Sequence, residues 1–450
     1  MPLALIALAV FIAVIVIWNV VIKRNMAEAM LLGFIVTLLF AGANAPQFAA
    51  DAFVEASENE VLYAAVAFVF MTYFVERTGV MNKLITILSS LLGRLPGGPA
   101  YVDTVASAAM GALAGGSNTG NAAASGSITG PWMVRTGWKR ERAATVIAGN
   151  AGLGAALPPS ASMIIMIGFA GTLVTTSQVY LALLVAGSYQ VLLRIGLTAW
   201  FVHRDGIRPE TGADHVPLRT SLRLGWTSVL VFLGAIIPIL ITVGPLADFL
   251  SSIATIGESL GNISLIMWIP ILIIAISAIV ARKELPKSAR QWWEFLAGSV
   301  PRFYTIGAIL FFAIMASEVL ASLGLATDVT SLLETLDLPL WLLVTLIGVL
   351  VVVVAGPLSS TATLSAVGQV ALFSMVAAGI DPLLAVVAIL VFASTEGASP
   401  PASGSIFVAS GLTEAQPEKT FIPLVIYYVV PIFILGVLIA LSIVPVPVGG

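Results

Sequence analysis

Apolar residues run through this chain in blocks long enough to cross a bilayer, and the polar stretches that break them recur at matched spacing. Blocks close to the roughly 20 residues of a spanning helix cover 3–21, 225–243, 263–280 and 421–443. The pattern predicts about 11 spans and two re-entrant hairpins. The first interruption, Gly115-Gly116-Ser117-Asn118-Thr119-Gly120-Asn121, is followed by Leu157-Pro158-Pro159-Ser160-Ala161-Ser162. The second, Gly356-Pro357-Leu358-Ser359-Ser360-Thr361, is followed by Ser399-Pro400-Pro401-Ala402-Ser403-Gly404-Ser405. Gly115 lies 43 positions before Pro158 and Gly356 lies 44 before Pro400, with Gly137 and Gly379 matched between them. Corresponding interruptions in two halves of a hydrophobic chain point to a transporter's binding site. The fold class expected is all-α, a polytopic membrane protein of two inverted structural repeats with re-entrant hairpins and broken helices.

The organisation follows from the same pattern. N-terminal spans occupy 1–60, and a first repeat with an arm helix and hairpin occupies 61–202. A polar cytoplasmic linker runs over 203–224, connecting spans over 225–285, and a second repeat with arm helix and hairpin over 286–450. Residues 81–92 carry Asn82, Lys83, Ser89 and Ser90 among leucines and isoleucines at helical spacing, too short to cross and suited to the interface. Residues 285–304, with Trp292, Trp293, Arg302 and Tyr304, are the expected counterpart. The competing reading is a pair of ordinary cytoplasmic loop helices.

Composition supports lipid as the solvent. The chain is 59% hydrophobic and 10% charged, with mean hydropathy +1.06, against about 25% charged in an ordinary soluble domain. Lys23-Arg24 follow the first apolar run, and no basic residue precedes it, so the run reads as a retained span with its N-terminus outside. Asp51, Glu55, Glu58 and Glu60 then fall outside, and Arg77, Lys83 and Arg94 inside. A net charge of -3 gives no reason to expect a nucleic-acid partner. There is no cysteine, and both histidines, His203 and His215, sit in the linker, so an imidazole or thiolate metal site within the membrane is excluded. No Gly-x-x-x-x-Gly-Lys-[Ser/Thr] nucleotide loop and no Gly-x-Gly-Asp protease signature occurs, which disfavours a primary pump and a membrane enzyme.

The breaks carry the chemistry. Gly115-Gly116 stops a helix cheaply, and Ser117, Asn118, Thr119 and Asn121 then offer side-chain oxygens beside freed carbonyls. Irregular backbone survives at membrane depth only inside protein or along a water-filled cavity, and a dehydrated small cation is held by such neutral oxygens. Helix packing through small residues is the alternative. Each Pro-Pro ends one half-helix and starts another, because proline suits a first turn and not an interior. The restarting N-terminus favours an anionic headgroup, with Ser160 and Ser162, and later Ser403 and Ser405, placed to cap it or touch substrate. Two Pro-kinked helices are the plainer alternative. Among intramembrane carboxylates, Glu396 lies four residues before Pro400, able to bind a proton or complete a cation cage. Asp103 is equally consistent with an interfacial position, and Glu318 with the external end of its span. Arg135, Lys139, Arg140, Glu141 and Arg142 read as a solvated hairpin tip.

With these residues in view, the chain resembles the large membrane subunit of TRAP (tripartite ATP-independent periplasmic) transporters. The resemblance is strongest in Glu76-Arg77-Thr78-Gly79, in Gly93-Arg94-Leu95-Pro96-Gly97-Gly98 and through 111–163, including Pro131-Trp132-Met133, Gly137-Trp138 and Pro158-Pro159-Ser160. Pro400-Pro401 with Phe407-Val408-Ala409-Ser410-Gly411 is similar to the family's second hairpin. The resemblance implies a sodium-coupled importer of small organic acids in a bacterial or archaeal cytoplasmic (inner) membrane, moving as an elevator. It further implies a small membrane subunit of about four spans and an extracytoplasmic solute-binding protein as partners. Cations would sit at Ser117, Asn118, Gly356 and Ser360, and substrate between the hairpins, near Asn121, Ser160, Ser162, Ser403, Ser405 and Glu396. A stand-alone symporter or exporter of the same architecture is the alternative.

Overall fold

The computed structural model describes residues 3–114, 118–209, 217–242, 245–253, 264–336, 338–401 and 403–447. Among these residues every regular element is helical. The chain is a polytopic α-helical membrane protein. Among the described residues five helices are long and apolar enough to cross a bilayer, or up to seven if each of two bent pairs makes one span. A further seven apolar helices, of 10–17 residues, lie among the described residues. Leu3–Val16 passes into a π-helical turn over Ile17–Val21, and Pro382–Ala393 into a 3-10 turn over Ser394–Ala398.

The two hairpins share one order of elements. In the first, Asn118–Arg135 runs to a tip and Arg140–Ala151 returns, continuing through Leu153–Ala156 to the Pro-Pro break and Ala161–Ala170. The helices before and after that break are bent by 41°. In the second, Leu340–Ala355 ends at Gly356, and Ser360–Thr363 and Gln369–Ala377 lead to a tip. Pro382–Ala393 returns from it to the second Pro-Pro and Gly404–Thr413. The matched glycines turn the chain alike. Gly137 has φ +94° and Gly379 φ +91°. Trp138 N donates to Met133 O at 3.1 Å and Ile380 N to Met375 O at 3.0 Å, the six-residue closure of a Schellman cap that a left-handed glycine permits. Pro158-Pro159 and Pro400-Pro401 are both cis.

Each hairpin is braced by the other. Gly404–Thr413 packs on Asn118–Arg135 and Arg140–Ala151, while Ala161–Ala170 packs on Pro382–Ala393. A Cβ at Gly126 would lie 2.8 Å from Ile147 Cγ2 and 3.1 Å from Leu412 Cδ1, so a small residue sets this approach. Pro382–Ala393 is buried at every position from Leu383 to Ala393, which explains its all-round apolar sequence.

The first arm is the amphipathic helix Val80–Leu92, started by Gly79 at φ +70°. The second is shorter than the expected 285–304. It spans Ala289–Ala297, and after Gly298-Ser299 a new helix, Val300–Ser322, starts with Arg302 and Tyr304 in its first turns. Ser288 caps the former by accepting from Gln291 N at 3.3 Å, and Pro301 suits the opening turn of the latter. Trp293 and Tyr304 are largely exposed, as headgroup-level aromatics are.

Candidate functional site

The two polar breaks meet. Asn118 opens its helix directly after the first, and Ser360 opens its helix directly after the second. Asn118 Nδ2 donates to Ser360 Oγ at 3.1 Å and to Glu396 Oε2. Ser360 Oγ lies 3.0 Å from Ala393 O and 3.3 Å from Glu396 Oε2. All three side chains are buried, yet all three line a cavity of about 600 Å³. Asn118 Oδ1 is buried without a hydrogen-bond partner. Among the described residues no Lys or Arg lies within ion-pair distance of Glu396.

The backbone explains how these groups come so close. A Cβ on Gly152 would stand 2.3 Å from Ser394 O, and one on Gly397 2.7 Å from Gly152 N. The two hairpins therefore cross with main chain against main chain, next to Glu396. Behind the crossing, buried Arg194 donates from Nε to Gly149 O at 3.0 Å and from Nη1 to Gln190 Oε1 at 3.1 Å. Gln190 Oε1 also accepts from Ser394 Oγ at 3.2 Å. One side-chain pair thus ties the ends of both hairpins.

The cavity wall also holds Thr72, Glu76, Arg302 and Thr305, with Phe68, Ile306 and Ile309 as apolar lining. Arg302 Nη1 and Glu76 Oε2 form an ion pair at 2.7 Å. Their positions in the chain gave no local signal of this meeting: Glu76 ends one helix of the first half and Arg302 begins one of the second. Thr119, one of the oxygen donors expected at the first break, also lines the cavity, as do Ser359 and Thr361, which lay inside the second break without being singled out.

Ser162 lines the cavity. Ser160 does not; its Oγ accepts from Met163 N at 3.1 Å and caps Ala161–Ala170, whose first two residues face the cavity. Asn121 turns away, because its amide donates to Ser107 O and Ala151 O at 3.2 Å each. Ser403 donates to Gly397 O at 3.3 Å, and Ser405 Oγ is buried without a partner; neither lines the cavity. Gly356 ends its helix with its Cβ direction 3.8 Å from Pro400 O, joining the second break to the second Pro-Pro. Ser117, Gly115, Gly116 and His215 lie outside the described residues. Among those described, no group of three or more His, Cys, Asp or Glu is placed to hold a metal. The donor set at the breaks is instead one carboxylate with amide, hydroxyl and carbonyl oxygens, which suits a hard cation of low charge.

Comparisons with known proteins agree with this architecture. Residues 5–445 match the family model described as the DctM component of the tripartite ATP-independent periplasmic transporter. An isethionate TRAP transporter permease protein, DctMQ of Oleidesulfovibrio alaskensis, is 22% identical over 405 residues, 88% of this chain and 59% of that protein. The chain thus spans about three-fifths of that relative's length. The C4-dicarboxylate TRAP transporter large permease protein DctM of Pseudomonas aeruginosa is 30% identical over 155 residues, 34% of this chain and 35% of that one. Among solved structures, the Alcanivorax borkumensis YdaH transporter superposes with TM-score 0.63 at 17% identity, covering 89% of each chain. Neisseria gonorrhoeae MtrF gives TM-score 0.60 at 12% identity, covering 90% of this chain and 86% of that one. At these identities the structural likeness speaks for the fold alone.

Proposed function

The chain belongs to the DctM component family of tripartite ATP-independent periplasmic transporters, and on that premise we propose that it is the large permease subunit of a sodium-coupled importer of small organic acids. The observation that carries the reading is the meeting of Asn118, Ser360 and Glu396, one group from each break and one from the second Pro-Pro approach, on the wall of a single cavity. A buried carboxylate facing only neutral donors leaves a negative charge to be balanced. A sodium ion would take it together with Asn118 Oδ1, the buried oxygen without a partner. In this reading sodium is a co-substrate, and its arrival removes the charge that would repel an organic anion from the cavity.

The anion then meets two sources of positive potential. One is the N-terminus of Ala161–Ala170, whose opening residues Ala161 and Ser162 line the cavity. The other is the Arg302 guanidinium, which lines the cavity while paired with Glu76 at 2.7 Å. A small membrane subunit and an extracytoplasmic solute-binding protein are the proposed partners, in a bacterial or archaeal cytoplasmic membrane. The names of the relatives, which act on isethionate and C4-dicarboxylates, support a small carboxylate or sulfonate as cargo. We assign the coupled step to an elevator motion of the interlocked hairpins, which brace each other over much of their surface. Reconstitution in liposomes with the partner subunits tests this: an imposed inward sodium gradient is expected to drive accumulation, and equal uptake in potassium or choline would overturn sodium coupling.

A further inference from the structure

Asp103 lies outside the cavity, on a different helix from Ser360 and Glu396. Asp103 is fully buried where Gly98–Ala114, Asn118–Arg135 and Arg140–Ala151 meet. Its Oδ1 accepts from Thr129 Oγ1 at 2.7 Å and its Oδ2 from Asn150 Nδ2 at 2.8 Å. The Ser125 hydroxyl is a third side-chain partner, and none of the three is charged. The buried cation of the neighbourhood, Arg194, uses Nε on Gly149 O and Nη1 on Gln190, and makes no bond to this carboxylate.

The donors that reach Asp103 are neutral and are shared with other acceptors. The one hydroxyl hydrogen of Thr129 serves both Asp103 Oδ1 and Ser125 O, at 2.7 and 2.9 Å. Asn150 uses its amide on Asp103 and on Thr104 Oγ1 at 3.0 Å, and Thr104 Oγ1 itself donates to Ala100 O at 3.0 Å. Asn121 uses its amide on Ser107 O and Ala151 O, one turn along the same junction. That leaves Asn150 Oδ1 and Asn121 Oδ1 buried without partners. Turning the Asn150 amide over would set Oδ1 against Asp103 Oδ2, acceptor against acceptor, unless a cation lay between them. Two unpartnered amide oxygens near a carboxylate that meets only neutral donors are the inventory of a cation site, and a single carboxylate among neutral oxygens matches a single positive charge.

We propose that this junction binds a dehydrated sodium ion between the Asp103 carboxylate and the oxygens of Asn150, Thr104 and Thr129. The site pins the first hairpin to the helix that leads into the first break, so its occupancy would set how firmly Asn118 is held. It stands independently of the cavity site.

The test is the thermal stability of the purified chain in detergent, titrated with sodium against potassium and choline at constant ionic strength, because a ligand of the folded state raises it saturably. Asn118→Ala disables the cavity site and is expected to retain a sodium-selective rise, which the added Asp103→Asn abolishes. Asparagine is a neutral isostere that still accepts from Thr129, so the fold without sodium is expected to persist. Thr129→Val serves as a second probe, expected to raise the half-saturating sodium concentration about tenfold or more. No residual rise in Asn118→Ala, or a rise that survives Asp103→Asn and Thr129→Val unchanged, would overturn the proposal. Failure of the cavity site looks different: Asp103→Asn alone would then erase the whole sodium response of the wild type.

Discussion

Gly152→Ala is the sharpest probe of how the two hairpins cross. The added methyl would sit 2.3 Å from Ser394 O, 3.3 Å from Arg194 Nη2 and 3.5 Å from Ser394 C. The first contact is backbone, so no side-chain rotation relieves it. Restoring ordinary contact near 3.5 Å would require the hairpins to part by about 1 Å. Overpacking of this kind costs about 1–3 kcal/mol, and here the displaced segment carries Ser394 and, two residues on, Glu396. Gly196 is the internal control, since a Cβ there meets nothing within 4 Å. As a glycine inside a long helix, its change to alanine is expected to be neutral or to stabilise by about 0.5–1 kcal/mol. The assay pairs thermal unfolding in detergent with transport in liposomes. Gly152→Ala is expected to lower both stability and apparent sodium affinity, and Gly196→Ala neither. A Gly152→Ala protein as stable and as sodium-responsive as wild type would refute the backbone crossing and the alignment of Glu396 derived from it.

Two further outcomes follow from other parts of the fold. Ser160→Ala removes the cap bond to Met163 N and is expected to cost about 0.5–2 kcal/mol in unfolding free energy, whereas Ser403→Ala, at a helix start without a side-chain cap bond, should cost less; equal losses would contradict the capping role. At the arms, the Lys83 ammonium, 2.7 Å from Glu284, holds that exposed carboxyl below the usual carboxylate range, first through their hydrogen bond. A depressed folded-state value means the contribution is full above the ordinary Glu value near about 4.3 and is lost as pH falls through the lowered one. The stability gap between wild type and Lys83→Met is expected to be small, about 0.2–1 kcal/mol, open at neutral pH and closed in acid; a gap independent of pH would count against the pair.

Much of the site was legible because breaking a helix inside a bilayer needs particular residues. Glycine pairs, Pro-Pro and their spacing announced both breaks, and Gly137 and Gly379 announced both tips, since only a left-handed residue closes those turns without strain. Asn118, Ser360, Ser162 and Glu396 were recognised on that basis. What stayed hidden depended on rotation about a helix axis or on contacts between distant segments. Asn121 stands three residues after Asn118 in the same polar run, yet it serves the junction with Ser107 and Ala151. Ser160 was placed to cap or to touch substrate, and of the two it caps. The Glu76–Arg302 pair joins the two halves at the cavity wall, and no local pattern connects residues so far apart in the chain. Asp103, equally consistent from sequence with an interfacial position, is fully buried, because three helices close over it.

The central claim is that the two breaks and Glu396 together hold a sodium ion. Equilibrium binding of radiolabelled sodium to the purified chain, compared with Glu396→Gln and Ser360→Ala, tests it most directly. The account expects saturable binding that potassium does not displace, with one component lost in Glu396→Gln and weakened in Ser360→Ala. Binding that is absent in the wild type, or identical in all three proteins, would contradict it.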